Sequence, residues 1–418
     1  MSGRANRRQV LGGLTATALA APALAQAKPA IVVVGGGYGG VTVARELVRL
    51  GLGVTLVEPS ATYTSCPSSN AVIAGMLPIS AVTFDYAGVA RAGVTMVRDT
   101  VTAIEAETRR VRLAGGGSLA YDRLVVSPGV AMRFDAIPGY DEAASLVMPH
   151  SWKAGTQTSL LARQIAAMED GGLVIISVPG MPYRCPPGPY ERASLIADYL
   201  KTHKPRSKVI VLDAKDKYSK QPLFEAAWKT LYPDHIEWVP ASKGGTLKRV
   251  DAGSMLLESE GGRFKPAVAN VIPPQHAPEF CFQAGLADAY GWCRIDPVTF
   301  ESIRVPGIHV LGDASAAGAM PKSAFSANAQ GKVCAQAIAD LYAGRKPDEP
   351  RLINVCYSLA APDYAFSVAG VYAPEWDALI SVPGAGGLSP DDAPLEVRAK
   401  EATLGAAWYR TITRDLFG

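Results

Sequence analysis

Residues 30–40 read AIVVVGGGYGG, and this stretch decides the fold. Five apolar residues predict a buried strand, the glycines a tight turn, and residues 41–50 a helix. The glycines of the G-x-G-x-x-G pattern are Gly35, Gly37 and Gly40. The next strand, at 54–57, ends at Glu58, where a carboxylate can bond a ribose hydroxyl. Strand, turn, helix and acid in this order predict a Rossmann-like unit that binds a dinucleotide.

A second unit of the same outline lies in the middle of the chain. Strands are predicted at 173–176 and 209–213, with a helix at 193–199 between them, and the second strand again ends in an acid. The turn that should hold phosphate, residues 177–191, reads SVPGMPYRCPPGPYE, with five prolines around Cys185. Proline removes N–H donors and restricts φ. This turn therefore predicts a rigid collar around a thiol and no NAD(P).

Two later stretches indicate which dinucleotide the first unit binds. Residues 125–129, VVSPG, resemble the strand and turn at which flavoprotein disulfide reductases leave their first domain. Residues 307–314, GIHVLGDA, resemble their second FAD fingerprint, which places Gly312 and Asp313 at the ribityl chain. A helix predicted at 327–341 follows, and its positive end favours charge on a reduced flavin. The predicted cofactor is FAD.

These patterns predict an α/β fold with two Rossmann-like nucleotide-binding domains of glutathione-reductase type and a C-terminal α+β domain. The predicted parts are an export signal at 1–27, an FAD domain at 28–140 and 277–345, a second Rossmann-like domain at 141–276 and a C-terminal domain at 346–418.

The first 27 residues are typical of a twin-arginine export signal. Arginines at 7–8 precede a small-residue apolar run and A-x-A sites at 23–27. A transmembrane anchor is the alternative, but the run falls short of the ~20 residues that a span needs and contains glycines at 12–13. We therefore expect a periplasmic protein without an integral membrane segment.

Composition excludes some function classes. The formal charge of +3 comes from the three arginines of the leader, so the remaining chain is neutral and nucleic acid is not expected as a partner. The five histidines form no HxxxH motif, and no CxxCH occurs. We therefore expect neither a bound metal nor a haem attached to this chain.

The six cysteines are far apart, without a CxxC motif. NAD-linked disulfide reductases carry two cysteines four apart in the helix after the FAD strand, and that pair is missing here. Cys281, Cys293 and Cys334 are interpreted as core or loop residues, and a bond between Cys281 and Cys293 is not expected. Three cysteines remain as candidates for chemistry: Cys66, Cys185 and Cys356.

Seven stretches from one end of the chain to the other resemble the flavin subunit of flavocytochrome c sulfide dehydrogenase. They are TYTSCPSSN (62–70), HSWKAGTQT (150–158), YRCPPGPYERAS (183–194), VIPPQ (271–275), GWCRID (291–296), MPKSAFSANAQGKV (320–333) and NVCYSLAAPDYAFSVAGVY (354–372). The resemblance covers essentially the whole chain and is more specific than a dinucleotide fingerprint.

The resemblance implies a role for each candidate residue. Cys185 and Cys356 would form a redox disulfide beside the isoalloxazine, hydrosulfide would open it to give a persulfide, and two electrons would enter FAD. Cys66 matches the cysteine that holds the flavin through a thioether. Glu191 matches a proposed acid/base. A separate c-type cytochrome subunit would accept the electrons.

Plainer interpretations of the same residues stay open. Cys185 is otherwise an inert buried thiol, Cys356 a packing residue of an apolar strand, and Cys66 a free or disulfide-bonded loop cysteine. Glu191 lies where acids also favour a helix's first turn. Lys322 is either close to the flavin or an ordinary loop lysine.

Two other functions compete with sulfide dehydrogenase. Sulfide:quinone oxidoreductase shares the fold and the cysteine chemistry, and it would need an apolar quinone channel. The last helix places Leu404, Trp408, Ile412 and Leu416 on one face, a stripe that more often packs on its own domain. An accessory flavoprotein of sulfur oxidation, with little turnover of its own, is the third possibility.

Overall fold

The computed structural model describes residues 29–418. The predicted export signal at 1–27 lies outside the described residues. Within the described part of the chain, no helix combines the length and the apolarity that a membrane span requires.

Helices and strands follow one another in four stretches of the chain. Residues 29–155 contain β1 (Ile31–Val34), α1 (Tyr38–Arg49), β2 (Val54–Val57), β3 (Thr62–Thr64), α2 (Ser69–Ile73), β4 (Thr83–Asp85), α3 (Ala87–Arg91), β5 (Thr95–Val97), β6 (Val101–Glu105), β7 (Arg110–Leu113), β8 (Ser118–Ala120), β9 (Arg123–Val126) and β10 (Ala131–Met132). Residues 156–276 contain α4 (Thr156–Ala167), β11 (Leu173–Val178), α5 (Gly188–His203), β12 (Lys208–Asp213), α6 (Gln221–Leu231), β13 (Ile236–Val239), β14 (Leu247–Asp251), β15 (Leu256–Ser259), β16 (Gly262–Phe264), β17 (Val268–Val271) and β18 (Gln275–His276). Residues 277–345 contain α7 (Glu279–Gln283), β19 (Cys293–Arg294), β20 (Ile308–Val310), β21 (Ser315–Ala316) and α8 (Ala324–Tyr342). Residues 346–418 contain β22 (Leu352–Ala361), β23 (Tyr364–Glu375), β24 (Ala378–Ser381), β25 (Gly387–Leu388) and α9 (Leu395–Phe417).

The first sheet is parallel, with strand order β20-β9-β1-β2-β5. Its central strand β1 is buried along its whole length, as expected for an apolar strand covered on both faces. Because β20 pairs with β9, a late segment of the chain completes the sheet that the first segment begins. The carboxyl ends of its strands therefore bring Gly35, Glu58, Ser127 and Gly312 to one edge.

The second sheet is also parallel, with strand order β13-β12-β11-β17. The proline-rich collar, residues 179–187, leaves the carboxyl end of β11. Helix α5 begins at Gly188, five residues earlier than the predicted 193–199. Proline is tolerated in the first helical turn because N–H groups there have no intrahelical partner. Glu191 consequently lies within the first turn of α5.

The third sheet is antiparallel, formed by β22, β23 and β24, with β25 paired to β23. Helix α9 packs on β23 and returns to the first domain, where Phe417 stacks on Tyr63 and Phe84 at 5.3 Å between ring centroids. On its predicted apolar face, Ile412 and Leu416 are buried, whereas Leu404 is exposed. Two Rossmann-like domains and a C-terminal α+β domain confirm the predicted fold class.

Candidate active site

Two glycines of the G-x-G-x-x-G pattern, Gly35 and Gly40, pack so closely against backbone that a side chain has no room. Gly35 has φ +101°, and a Cβ there would lie 2.3 Å from the Ser127 carbonyl oxygen. A Cβ on Gly40 would lie 1.8 Å from the Gly35 carbonyl oxygen. At Gly37 the nearest atom to such a Cβ is 3.6 Å away, on the Tyr63 ring. Gly35 and Gly40 thus allow close backbone packing, while Gly37 leaves the turn open to a ligand.

The Glu58 carboxylate lies at this same turn. One of its oxygens accepts the Gly36 N–H at 2.8 Å, and the other accepts the Ser60 N–H at 2.9 Å. The Tyr86 hydroxyl donates to the Gly36 carbonyl at 3.0 Å. The acid that sequence spacing selected is therefore held beside the glycines, with lone pairs left for a ribose hydroxyl.

The second FAD fingerprint faces the same edge of the first sheet. Gly312 has φ +71° and donates its N–H to the Gln330 side chain at 2.7 Å. One Asp313 carboxylate oxygen is buried without a hydrogen-bond partner among the described residues. The other lies 3.6 Å from the Arg184 guanidinium. A buried oxygen of this kind is costly unless a ligand hydroxyl donates to it. The pocket therefore fits the ribityl chain of FAD.

Lys322 lies at this pocket and is not an ordinary surface lysine. Its Nζ donates to the carbonyls of Asp313 at 2.8 Å and Ser315 at 2.6 Å. It also lies 3.8 Å from the centroid of the Trp292 ring. Burial lowers the pKa of Lys322 to about 8, although Asp313 opposes this shift. An ammonium so placed would favour negative charge on a flavin beside it.

Cys66 follows β3 and is half-buried. Its Sγ lies 3.8 Å from the Trp152 carbonyl oxygen, which also accepts a hydrogen bond from Arg184. Arg184 in turn faces Asp313. The Cys66 thiol therefore belongs to the same pocket as the ribityl-binding fingerprint.

The collar holds Cys185 in an unusual backbone conformation. Its φ is +55°, its N–H donates to the Lys322 carbonyl at 2.8 Å, and its carbonyl accepts the Gly188 N–H at 2.8 Å. A Cβ at Gly188 would lie 3.0 Å from the Cys185 Sγ. Glycine at this position therefore makes room for the thiol. The bond to Lys322 fixes Cys185 at the pocket described above.

Cys356 lies on β22 of the C-terminal sheet, close enough for its charge to act on Cys185. Ser323, next to Lys322, donates its hydroxyl at 2.6 Å to Asn354, which lies two residues before Cys356 on β22. The loop that binds the Cys185 backbone thus also binds the strand of Cys356. Both thiols are half-buried and free, and burial raises the pKa of both.

Glu191 connects the same two elements. Its carboxylate accepts the Asn70 side-chain amide at 2.9 Å and the Leu359 N–H of β22 at 3.2 Å. Burial raises the pKa of Glu191, and the bond from Asn70 opposes this. In the described part of the chain, the carboxylate accepts hydrogen bonds from α2 and β22 and none from its own helix. It lies between the two cysteine-bearing elements.

Sequence reasoning missed the buried cations around the thiols. Arg192 is 2% exposed and donates to Asn70, Asn270 and the His150 and Ser151 carbonyls. Lys220 is 4% exposed and donates to the Cys356 carbonyl. Arg192 lies in the stretch 183–194 but was given no role there, and Lys220 lies in none of the seven stretches. Their positions follow from packing between elements distant in sequence.

Cys281 and Cys293, the other two neighbouring cysteines, lie in the first domain. Both are fully buried and free, and Ala287, which pairs with Cys293 across an antiparallel bridge, donates its N–H to the Cys281 carbonyl at 3.1 Å. Cys334 is fully buried in α8. Of the two predicted interpretations, core or loop, the structure shows core for all three.

Asp213, the acid that ends β12, is occupied by the protein itself. It is fully buried and accepts hydrogen bonds from the Tyr190 hydroxyl at 2.5 Å and the Trp238 indole at 3.0 Å. The Lys215 ammonium is 2.5 Å from the same carboxylate. Tyr218 stacks on Tyr190 with 3.7 Å between ring centroids. The carboxylate at the end of β12 is therefore already engaged by groups of the protein.

Three family descriptions match successive parts of the chain. "Pyridine nucleotide-disulphide oxidoreductase" matches residues 29–162. "Sulfide dehydrogenase [flavocytochrome c] flavoprotein chain, central" matches residues 158–273. "Flavocytochrome c sulphide dehydrogenase, flavin-binding" matches residues 348–417. The two more specific descriptions thus cover the domains that carry Cys185 and Cys356.

Individual proteins are similar to the chain in sequence or in fold. The sulfide dehydrogenase [flavocytochrome c] flavoprotein chain of Chlorobaculum thiosulfatiphilum is 52% identical over 44 residues, 10% of this chain and 92% of that sequence. The mitochondrial sulfide:quinone oxidoreductase of Dictyostelium discoideum is 26% identical over 307 residues, covering 68% of this chain and 65% of the relative. The chain thus spans slightly less than two thirds of that relative. The sulfide:quinone oxidoreductase structure from Aquifex aeolicus has the same fold, with a TM-score of 0.69, 16% identity and 92% of each chain covered.

Proposed function

Because the chain belongs to the flavocytochrome c sulfide dehydrogenase flavoprotein family, we propose that it oxidises sulfide through a Cys185–Cys356 disulfide and FAD. A c-type cytochrome subunit would then accept the electrons. One observation carries the proposal. The loop at Lys322 and Ser323 binds the Cys185 backbone and the strand of Cys356 while forming one side of the FAD pocket.

In the proposed reaction, the disulfide, Glu191 and the residues that would hold FAD have separate roles. Hydrosulfide attacks one sulfur of the disulfide, and the other sulfur leaves as a thiolate, so a cysteine persulfide forms. Glu191 of α5, held by α2 and β22, accepts the proton that the persulfide releases after the attack. FAD, when bound, accepts the two electrons that the sulfur gives up. Gly37, Glu58, Asp313 and Lys322 would hold it.

A thioether between Cys66 and the flavin is part of the proposal. The position of Cys66 in the pocket of Asp313 and Arg184 supports it. We expect acid precipitation of the wild-type protein to leave yellow colour in the pellet, since a covalent bond survives unfolding. Cys66→Ser should release the colour to the supernatant, as absorbance at 450 nm would show. Colour that stays in the pellet of Cys66→Ser would contradict the assignment, and Cys334→Ser is the control.

Two features of the second domain support the proposal that NAD(P) takes no part in electron transfer. A dinucleotide would need the Asp213 carboxylate, which three protein groups already occupy, and phosphate-binding N–H groups that the collar prolines lack. We therefore propose that electrons leave through a haem protein. Because residues 1–27 are typical of a twin-arginine export signal, we propose that the protein acts in the periplasm.

Sulfide:quinone oxidoreductase is the second candidate, and the relative from Dictyostelium discoideum favours it. The apolar stripe of α9 does not, since Ile412 and Leu416 are buried in the core and Trp408 stacks on Phe325 with 5.8 Å between ring centroids. Of the four residues of the stripe, Leu404 alone is exposed, so the stripe presents little apolar surface to a quinone or a lipid.

An anaerobic sulfide titration tests the proposal. Sulfide should bleach the flavin, and adding cytochrome c should restore its colour and reduce the haem. Restoration by a soluble quinone alone would favour the second candidate, and oxidation or reduction by the NAD couple would contradict the role given to the second domain. Flavin that sulfide never bleaches would leave an accessory role in sulfur oxidation.

A further inference from the structure

Lys220 is a buried lysine at the edge of the cysteine pair. It is 4% exposed, precedes α6, and has φ +62°, a strained conformation for a residue with a side chain. Its Nζ donates to the Cys356 carbonyl at 2.8 Å and to the Ser358 hydroxyl at 2.7 Å. In this strained backbone conformation, two hydrogen bonds hold the Lys220 ammonium against β22.

The Lys220 ammonium has no carboxylate within ion-pair distance in the described part of the chain. The Glu191 carboxylate acts on it electrostatically from beyond that distance, and the centroid of the Phe366 ring lies 5.8 Å from the ammonium. Taking an ammonium out of water is expensive unless an anion compensates it. A thiolate that arises during the reaction would add to the partial compensation that Glu191 provides.

The two cysteines are where such an anion arises. Lys220 favours the thiolate at both, and at Cys356 it is the foremost influence after burial. Cys185 is subject first to Cys356 and Glu191, which disfavour its thiolate. The positive charge is therefore directed mainly at Cys356.

We propose that Lys220 is a positioning residue that stabilises the Cys356 thiolate, and thereby directs hydrosulfide to Cys185. The inference rests on the disulfide chemistry proposed above. Hydrosulfide forms an S–S bond to the Cys185 sulfur, and the Cys185–Cys356 bond breaks. Its electron pair passes to Cys356, which leaves as a thiolate. The hydrosulfide proton stays on the Cys185 persulfide, so no other reactant is required.

Other charged groups act on the same thiols. Glu191 of α5 opposes Lys220 at both, and Arg184 of the collar favours the thiolate of Cys185. On β23, the pKa of Tyr372 is raised by burial and by nearby Cys356. Because Glu191 and Tyr372 remain when Lys220 is replaced, the loss of its charge should raise the pKa of Cys356.

Alkylation of the reduced flavoprotein tests the inference. The protein is reduced with dithiothreitol and desalted, and iodoacetamide labelling of each cysteine is followed by peptide mass spectrometry from pH 6 to 11. Only the thiolate reacts, so the midpoint of the rate profile reports the thiol pKa. In Lys220→Met we expect the Cys356 midpoint to rise by at least about one pH unit, so that labelling below it is roughly tenfold slower.

Two variants control for structural effects. Lys220→Arg keeps the positive charge and should keep the Cys356 midpoint near that of the wild type. Lys217→Met removes an exposed lysine from the same loop and should change nothing. A Cys356 midpoint that Lys220→Met leaves in place overturns the inference.

The wild type alone supplies a second test if Lys220→Met does not fold. Cys356 should be labelled at lower pH than Cys185, and the reverse order would overturn the inference. Labelling requires no turnover, whereas the sulfide titration of the wild type reports the proposed function. The two proposals can therefore fail separately.

Discussion

The Cys356→Ser variant is expected to lose sulfide oxidation, with kcat/KM falling on the order of a thousandfold or more. Without the second sulfur no disulfide can form, so hydrosulfide has no S–S bond to open. The flavin should stay bound, since Cys356 belongs to β22 and the FAD fingerprints lie in the first domain. Stopped-flow absorbance at 450 nm after mixing with sulfide would measure the loss.

Cys334→Ala is the matched control for this prediction. Cys334 is equally a cysteine of the described chain, yet it is fully buried in α8 within the core of the first domain. Its replacement should leave kcat/KM unchanged. Cys185→Ser should match Cys356→Ser, because the two sulfurs act as one unit. Turnover within tenfold of the wild type in either serine variant would contradict the disulfide mechanism.

Gly40→Ala is expected to destabilise the first domain by about 3 kcal/mol or more. The added Cβ would lie 1.8 Å from the Gly35 carbonyl oxygen, a backbone atom that can retreat only if α1 moves away from β1. The glycine turn would then open, and FAD should be lost together with stability. Urea unfolding followed by circular dichroism, with the flavin content of the purified protein, measures both effects.

Gly37→Ala separates cofactor binding from packing. Gly37 has φ −83°, and an added Cβ would come no closer than 3.6 Å to the Tyr63 ring, so alanine fits the protein. It would instead project where a pyrophosphate approaches the backbone. In a Cys66→Ser background, we expect FAD affinity to fall on the order of tenfold with the unfolding free energy of the flavin-free protein unchanged. Equal destabilisation by Gly37→Ala and Gly40→Ala would contradict this division of roles.

Local patterns predicted the first unit of the fold closely. Strand β1, the glycine turn and Glu58 occupy the predicted positions, because each depends on backbone geometry and on hydrogen bonds between neighbours in sequence. The beginning of α5 was less well predicted. The predicted helix began at residue 193, whereas α5 begins at Gly188, because the free N–H groups of a first helical turn accommodate proline.

The cysteine pair could be predicted only through resemblance to a known family. The local sequence around Cys185 contains no signal that points to Cys356. The two segments are connected because the Lys322 loop binds the backbone of Cys185 and the strand of Cys356. The contacts of Glu191 could not be predicted from the local sequence either. Its first-turn position allowed capping, and only the packing of α2 and β22 against α5 directed its carboxylate elsewhere.

The role proposed for Lys220 could be found only in the folded structure and not in the sequence. In sequence it is one lysine among several in a polar loop, and no periodicity or motif distinguishes it. Its burial and its bond to the Cys356 carbonyl arise only when the second and third domains pack together. The dinucleotide turn depends on short-range hydrogen bonds and on steric limits, so the order of residues alone predicts it. The electrostatics at the thiols depend on distances between remote segments, and those distances exist only in the folded protein.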